Sequence, residues 1–207
     1  MERFLTMRAQ TIYENIEFKR GRDPKRTLGI GKRVQIDKWF EKWASDAEYE
    51  VDDDFNVYVH NDLSLYGSNV TSLPDNLEVE GSLDLTNTRI TSLPNKLKVG
   101  TNLYLENIDI TSLPDVLRVG VNLYLEDTNI TSLSNNLEIG GNLFLSGTNI
   151  TSLPDNLKVG GSLFLRDTNI SLLPDNLEVG RDLDISNTKI TSLPDDLEVI
   201  GRIFKDF

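Results

Sequence analysis

From Leu73 onward the apolar residues fall into one pattern that returns every twenty positions. The unit is L-P-D-N-L-E-V-G-G-N-L-x-L-x-x-T-x-I-T-S, and it starts at Leu73, Leu93, Leu113, Leu133, Leu153, Leu173 and Leu193 without a single insertion. Six apolar slots recur in each unit, exemplified by Leu113, Leu117, Val119, Leu123, Leu125 and Ile130. A fixed period without insertions predicts stacked coils, because an extra residue anywhere would break register with both neighbours. Within the unit, L-x-L alternates with period two, so the two leucines face inward and the residue between them faces out of a short strand. Stacked, these strands predict a parallel sheet. Proline after the first leucine, as at Pro114 and Pro154, lacks a donor and breaks helix, which predicts an extended return side. The glycine pair, as at Gly140 and Gly141, marks the turn into the strand. The threonine slot, Thr88, Thr128, Thr148, Thr168 and Thr188 with Ser68 before them and Ile108 as its one departure, predicts an inward row of hydroxyls satisfying backbone groups at the bend.

The L-x-L-x-x-T-x-I stretch followed by T-S-L-P resembles the core of leucine-rich repeats, and the twenty-residue length with L-P resembles their short bacterial class. Thr stands where that family has its ladder Asn, and Gly100 and Gly120 stand where it has a leucine. The regularity is similar to that of leucine-rich-repeat-like proteins common in phage genomes, and QIDKWFEKW leading into EYEVDDDFNVYVHNDLSLYG is similar to their helical head and acidic strand. The resemblance covers residues 34 to 207. It implies a mainly β solenoid of about seven to eight coils with a small α-helical N-terminal cap, and a non-enzymatic module that binds a protein partner, encoded by a phage or a bacterium.

The head differs from the array. Residues 55 to 70 already run in repeat register, through Val57, Val59, Leu63, Leu65 and Val70. Upstream, Ile36, Trp39, Phe40 and Trp43 lie along one face of a predicted helix that would cover the first coil. Another helix is predicted over residues 2 to 18, through Leu5, Ile12 and Ile16, and Asp23-Pro24 marks a helix start. Between and beyond these lies a basic patch of Lys19, Arg20, Arg22, Lys25, Arg26, Lys32 and Arg33, readable as a solvated linker, a dock for an acidic partner or a nucleic-acid contact. Gly29-Ile30-Gly31-Lys32 lacks the Ser or Thr and the preceding strand of a phosphate loop.

Charge sharpens the division. The chain of 207 residues carries a formal net charge of -12. Residues 1 to 48 hold 11 Lys and Arg against 8 Asp and Glu, whereas residues 49 to 207 hold 10 against 25. The boundary is therefore set between a basic head, 1–48, and an acidic solenoid, 49–207. An acidic array repels phosphates and argues against direct nucleic-acid binding. There is no cysteine, hence no disulfide framework. The first residues hold no apolar run of signal-peptide length, and no transmembrane run follows, so a cytoplasmic protein away from the membrane is expected.

Chemistry is sparse. His60 is the one histidine, no G-x-S-x-G accompanies it, and it is expected on the surface of the capping strand. Paired acids such as Glu126 and Asp127 fit a solvated face better than a glycosidase or calcium site. No catalytic residue, metal ligand or cofactor site is assigned.

The outward slot between the leucines holds Ser64, Asp84, Tyr104, Tyr124, Phe144, Phe164, Asp184 and Phe204. Four consecutive aromatics predict an exposed ridge ~14 Å long. With Asp84, Asp184, Glu106, Glu126 and Arg166 around it, the ridge has the apolar centre and polar rim of a protein interface. Sheet stabilisation is the competing reading. Two other functions remain open: an acidic phage inhibitor that blocks a host defence protein, by nucleic-acid mimicry or sterically, and a phage structural component held by the basic head. The stretch Ile203-Phe204-Lys205-Asp206-Phe207 either leaves an open strand edge through which copies associate or folds its phenylalanines back over the core.

Overall fold

The computed structural model describes residues 24–207 apart from position 156. The described residues divide into two compact units between Lys38 and Trp39. One helix, α1 (Pro24–Trp43), begins on the proline expected at a helix start. It contains the Gly29–Lys32 stretch, so that stretch is helical backbone and not a phosphate-binding loop. The helix predicted over residues 2 to 18 lies outside the described residues.

The second unit is a parallel β-solenoid of about seven twenty-residue coils preceded by a partial one. Each coil contributes strands to two sheets rather than one. A nine-stranded sheet is built mostly from the L-E-V segments, running from Tyr49–Val51 through Val57–Val59 and Leu77–Val79 to Glu198–Val199. An eight-stranded sheet is built from the L-x segments, from Leu63–Ser64 to Ile203–Phe204. The glycine pair therefore forms a corner between two sheets. At that corner a Cβ on Gly120, Gly140, Gly160 or Gly180 would collide with the carbonyl oxygen of the glycine one coil earlier. Coils approach so closely there that a side chain on any of these glycines would force the backbone to shift; the same slot carries side chains only toward the ends of the stack, as at Glu80 and Ile200.

The inward slots are closed. Leu83, Leu85, Ile90, Leu103, Leu105, Leu123, Leu125 and Ile130 are fully buried, and the opening leucines Leu73 to Leu173 are nearly so. Thr88, Thr128, Thr148 and Thr168 are buried as well. Each donates its hydroxyl proton to a carbonyl three residues back, as Thr128 Oγ1 does to Leu125 at 2.6 Å and Thr148 Oγ1 to Leu145 at 2.7 Å. The threonines thus satisfy the bend within their own coil. One set of side-chain bonds between coils comes from the asparagine column: Asn102 Oδ1 accepts from the Asn122 backbone N–H at 3.2 Å, Asn122 Oδ1 from Asn142 N–H at 2.8 Å, and Asn142 Oδ1 from Ser162 N–H at 2.7 Å.

The residue before each threonine slot is held in the left-handed region. Asn87, Asn107, Asp127, Asp167 and Asn187 have φ between 53° and 60°, and glycine takes the place at Gly67 and Gly147. These are the residue types that tolerate such a backbone.

At the N-terminal end of this unit Phe40 is 1% exposed. Its ring stacks on Tyr49 with centroids 3.8 Å apart, and the neighbouring Trp39 Nε1–H donates to the Ser72 carbonyl at 2.9 Å. Tyr49–Val51 pairs antiparallel with Val57–Val59 and closes one edge of the nine-stranded sheet. Asp52 holds the turn between them by accepting from the backbone N–H groups of Asp54 and Asn56, from Asn56 Nδ2 and from the Tyr58 hydroxyl. Those bonds, led by the Asn56 side chain, hold its carboxyl below the ordinary range.

Candidate functional site

The outward column of the eight-stranded sheet is in strict register. Tyr104 pairs with Tyr124, Tyr124 with Phe144, and Phe144 with Phe164. The four rings form a continuous stack, with centroids 4.7, 4.5 and 4.7 Å apart and planes 6° to 12° from parallel. Strand spacing in a sheet is ~4.8 Å, so the rings need only turn their faces along the stacking axis to touch. The sequence predicts an exposed ridge. The structure corrects this, because every one of the four residues is half-buried. Each inner ring gives both faces to its neighbours and shows solvent its edge.

The flanking columns are polar. On one side stand Asn102, Asn122 and Asn142, all half-buried, and Asn122 Nδ2–H reaches the Tyr124 hydroxyl at 3.4 Å. On the other stand Glu106 and Glu126, half-buried, followed by Arg166, exposed. Burial pushes the Glu126 carboxyl above its ordinary range, and the nearby charges of Glu106 and Asp127 push the same way. Burial also raises the Tyr104 phenol, with Tyr124, Glu106 and Asp84 adding to it. Asp84 and Asp184 continue the aromatic column at its two ends. The predicted site residues of this face are therefore brought together on one surface.

Its acids are only partly engaged. Glu106 accepts from the Thr86 hydroxyl at 3.0 Å, and Asp84 Oδ1 from the Thr86 backbone N–H at 2.9 Å. Asp184 Oδ1 accepts from both the backbone N–H and the hydroxyl of Ser186. The Arg166 guanidinium is turned to Asp167 at 3.2 Å.

The outward column of the nine-stranded sheet differs in kind. Lys98 pairs with Glu78 at 2.8 Å, Arg118 with Glu138 at 3.1 Å, and Lys158 with Glu178, each across neighbouring coils. All of these residues except Glu178 line, with Gly100, Gly120 and Gly140, an open depression of about 970 Å³. Its charges neutralise one another and leave little field for a ligand.

The remaining predicted residues are scattered. Lys32 and Arg33 are exposed on α1. Of Lys25 and Arg26 only helical backbone is described, and Lys19, Arg20 and Arg22 lie outside the described residues. His60 follows the Val57–Val59 strand and stands between Glu80 at 3.3 Å and Glu50 at 3.7 Å. Asp127, one of the paired acids, occupies the left-handed position, which gives it a conformational reason to be there. Among the described residues no three His, Asp or Glu side chains are placed to hold a metal ion, and no helix is long and apolar enough to cross a membrane. At the last coil Ile200, Phe204 and Phe207 are 85%, 45% and 48% exposed, so the phenylalanines do not fold over the core. Lys205 Nζ lies 4.3 Å from the centre of the Phe207 ring.

Column and sheet together define a two-sheet parallel solenoid with one aromatic-centred, acid-rimmed face. No family model matches the sequence, and no curated protein matches it.

Proposed function

We propose that this protein is a non-enzymatic binding module that holds a protein partner on the outer face of its eight-stranded sheet. One contrast carries the reading: the nine-stranded face pairs its lysines and arginine with glutamates of neighbouring coils, whereas on the eight-stranded face Asp84, Glu106, Glu126 and Asp184 surround an aromatic stack and form no ion pair among the described residues, the Arg166 of that rim being turned to Asp167. An apolar centre inside a polar rim is the anatomy of a protein interface. The charge of the rim calls for a partner with basic residues around an apolar strip.

A second reading rests on the same acids. If carboxylates alone drive binding, the face is a mimic of nucleic-acid phosphates that occludes a basic host protein. The leucine-rich-repeat resemblance, a phage or bacterial source and a cytoplasmic setting belong to this proposal, supported by the strict twenty-residue period. So does self-association along the Ile203–Phe204 edge, which sedimentation velocity would read.

Affinity capture with wild type, Tyr124→Ser/Phe144→Ser and Asp155→Asn/Asp175→Asn, each across a salt series, tests the reading. The ring variant should lose the partner at all salt concentrations, and the return-side variant should keep it. Capture that survives the serine changes but collapses with modest added salt selects the mimic.

A further inference from the structure

The aromatic column of the eight-stranded sheet is interrupted once before it ends. Phe164 is in register with Asp184, and Asp184 in turn with Phe204. Two aromatic side chains therefore stand one coil to either side of a carboxylate, ~9.6 Å apart by strand spacing. Inside the uninterrupted stack each ring lies 4.5 to 4.7 Å from the next. The interval between Phe164 and Phe204 thus has the width of one planar group stacked on both.

The opposite end lacks this arrangement, since Asp84 has Tyr104 on one side and Ser64 on the other. Asp184 is half-buried, and its Oδ1 is occupied by Ser186, which leaves Oδ2 as its remaining acceptor. Among the described residues the cations over rings are Lys42 on Trp43 and Lys205 on Phe207, neither of them on Phe164 or Phe204.

A planar group that stacks on aromatic faces, carries positive charge and donates in its own plane is a guanidinium. A neutral ring would strand the carboxylate, and an ammonium has no flat face. We propose that the interval between Phe164 and Phe204 is an arginine-binding slot, in which a partner's guanidinium stacks between the two rings and hydrogen-bonds to Asp184. This rests on the eight-stranded face being the partner-binding face, and it names the chemistry that the partner must bring.

The probe is the capped peptide acetyl-Gly-Arg-Gly-amide, followed by NMR on the full chain, with the citrulline peptide as a neutral isostere. Wild type should bind the arginine peptide at least tenfold more tightly than the citrulline peptide, with shifts centred on Asp184 and Phe204. Asp184→Asn should remove that preference, and Asp84→Asn should leave it intact. Asp184→Phe should abolish binding while raising the melting temperature, because its ring completes the stack. That rise reports the geometry and shows that the variant folds. Arg202, exposed one column away, is the chain's own competitor, so Arg202→Gln should bind at least as tightly as wild type. Equal binding of the two peptides by wild type, or full binding by Asp184→Asn, overturns the slot. Loss of the natural partner from Tyr124→Ser/Phe144→Ser is a separate readout: if that variant keeps the partner, the face reading fails even where the slot binds arginine.

Discussion

The ring of Tyr124 lies 4.5 Å from that of Phe144 and 6° from parallel, across two strands that pair these residues directly. Replacing both with serine removes three stacking contacts, each worth about 0.5 to 1.5 kcal/mol. The double variant should melt several degrees lower, yet stay folded, because the inward leucines are untouched. Loss of partner capture at a temperature where circular dichroism shows it folded is the expected result. A drop in melting temperature with capture unchanged would make the stack a structural device alone.

Phe40 closes the first coil. Truncation to alanine opens a cavity beneath Tyr49 and should cost about 3 to 5 kcal/mol, read by denaturant unfolding. Trp39→Phe keeps an aromatic ring while giving up the bond to the Ser72 carbonyl and part of the indole's contact area, and with Trp39 only half-buried its expected cost is smaller, about 0.5 to 1.5 kcal/mol for the bond. Equal costs for the two would mean that the closure does not rest mainly on the phenylalanine.

Glu126 should make the protein less stable as pH rises. Its folded-state value is raised, by burial first and by Glu106 and Asp127 next, so the folded state binds its proton more tightly than the unfolded chain does. The stabilising contribution is complete below the unfolded value, ordinarily 4.5, and is lost as pH climbs through the raised folded value. Glu126→Gln removes this dependence. Thermal melts from pH 4 to 8 should show the variant gaining on wild type as pH rises above the unfolded value and keeping that gain at higher pH.

Asp127 tests whether the paired acids have a conformational origin. With φ at 56°, valine in its place should cost about 1 to 2 kcal/mol or more, whereas asparagine and glycine should be tolerated. Urea titrations of the three variants would decide it. Equal stability of Asp127→Val and Asp127→Asn would mean that the left-handed position exerts no demand.

The solenoid was legible because Leu123 and Leu125 alternate with Tyr124, and because no unit gains or loses a residue. The second sheet was not legible. Lys98–Val99 is a strand of two residues, too short to display alternation, and the prolines on that side point only to an extended path. The bonds of Asn102 and Asn122 between coils were not legible either, since nothing in a sequence shows that an amide oxygen reaches the next coil's N–H. The column containing Tyr104 to Phe164 could be placed on the outer face by parity alone. Its half-burial could not, because burial follows from ring rotation onto neighbours one strand spacing away. At the head, Phe40 was read as covering the first coil, but the antiparallel turn held by Asp52 was hidden in what looked like a run of acids.

Every coil advances the stack by one strand spacing, ~4.8 Å, and the uninterrupted twenty-residue period lets nothing disturb that step. The outer face is therefore a scale graduated in coils. Asp84 and Asp184, a hundred residues apart in sequence, stand five graduations apart, ~24 Å. Duplicating or deleting one whole coil would shift that span by a single graduation and leave every inward slot filled as before. A surface of this kind can be refitted to a longer or shorter partner without redesigning its interior, so that selectivity is written as length.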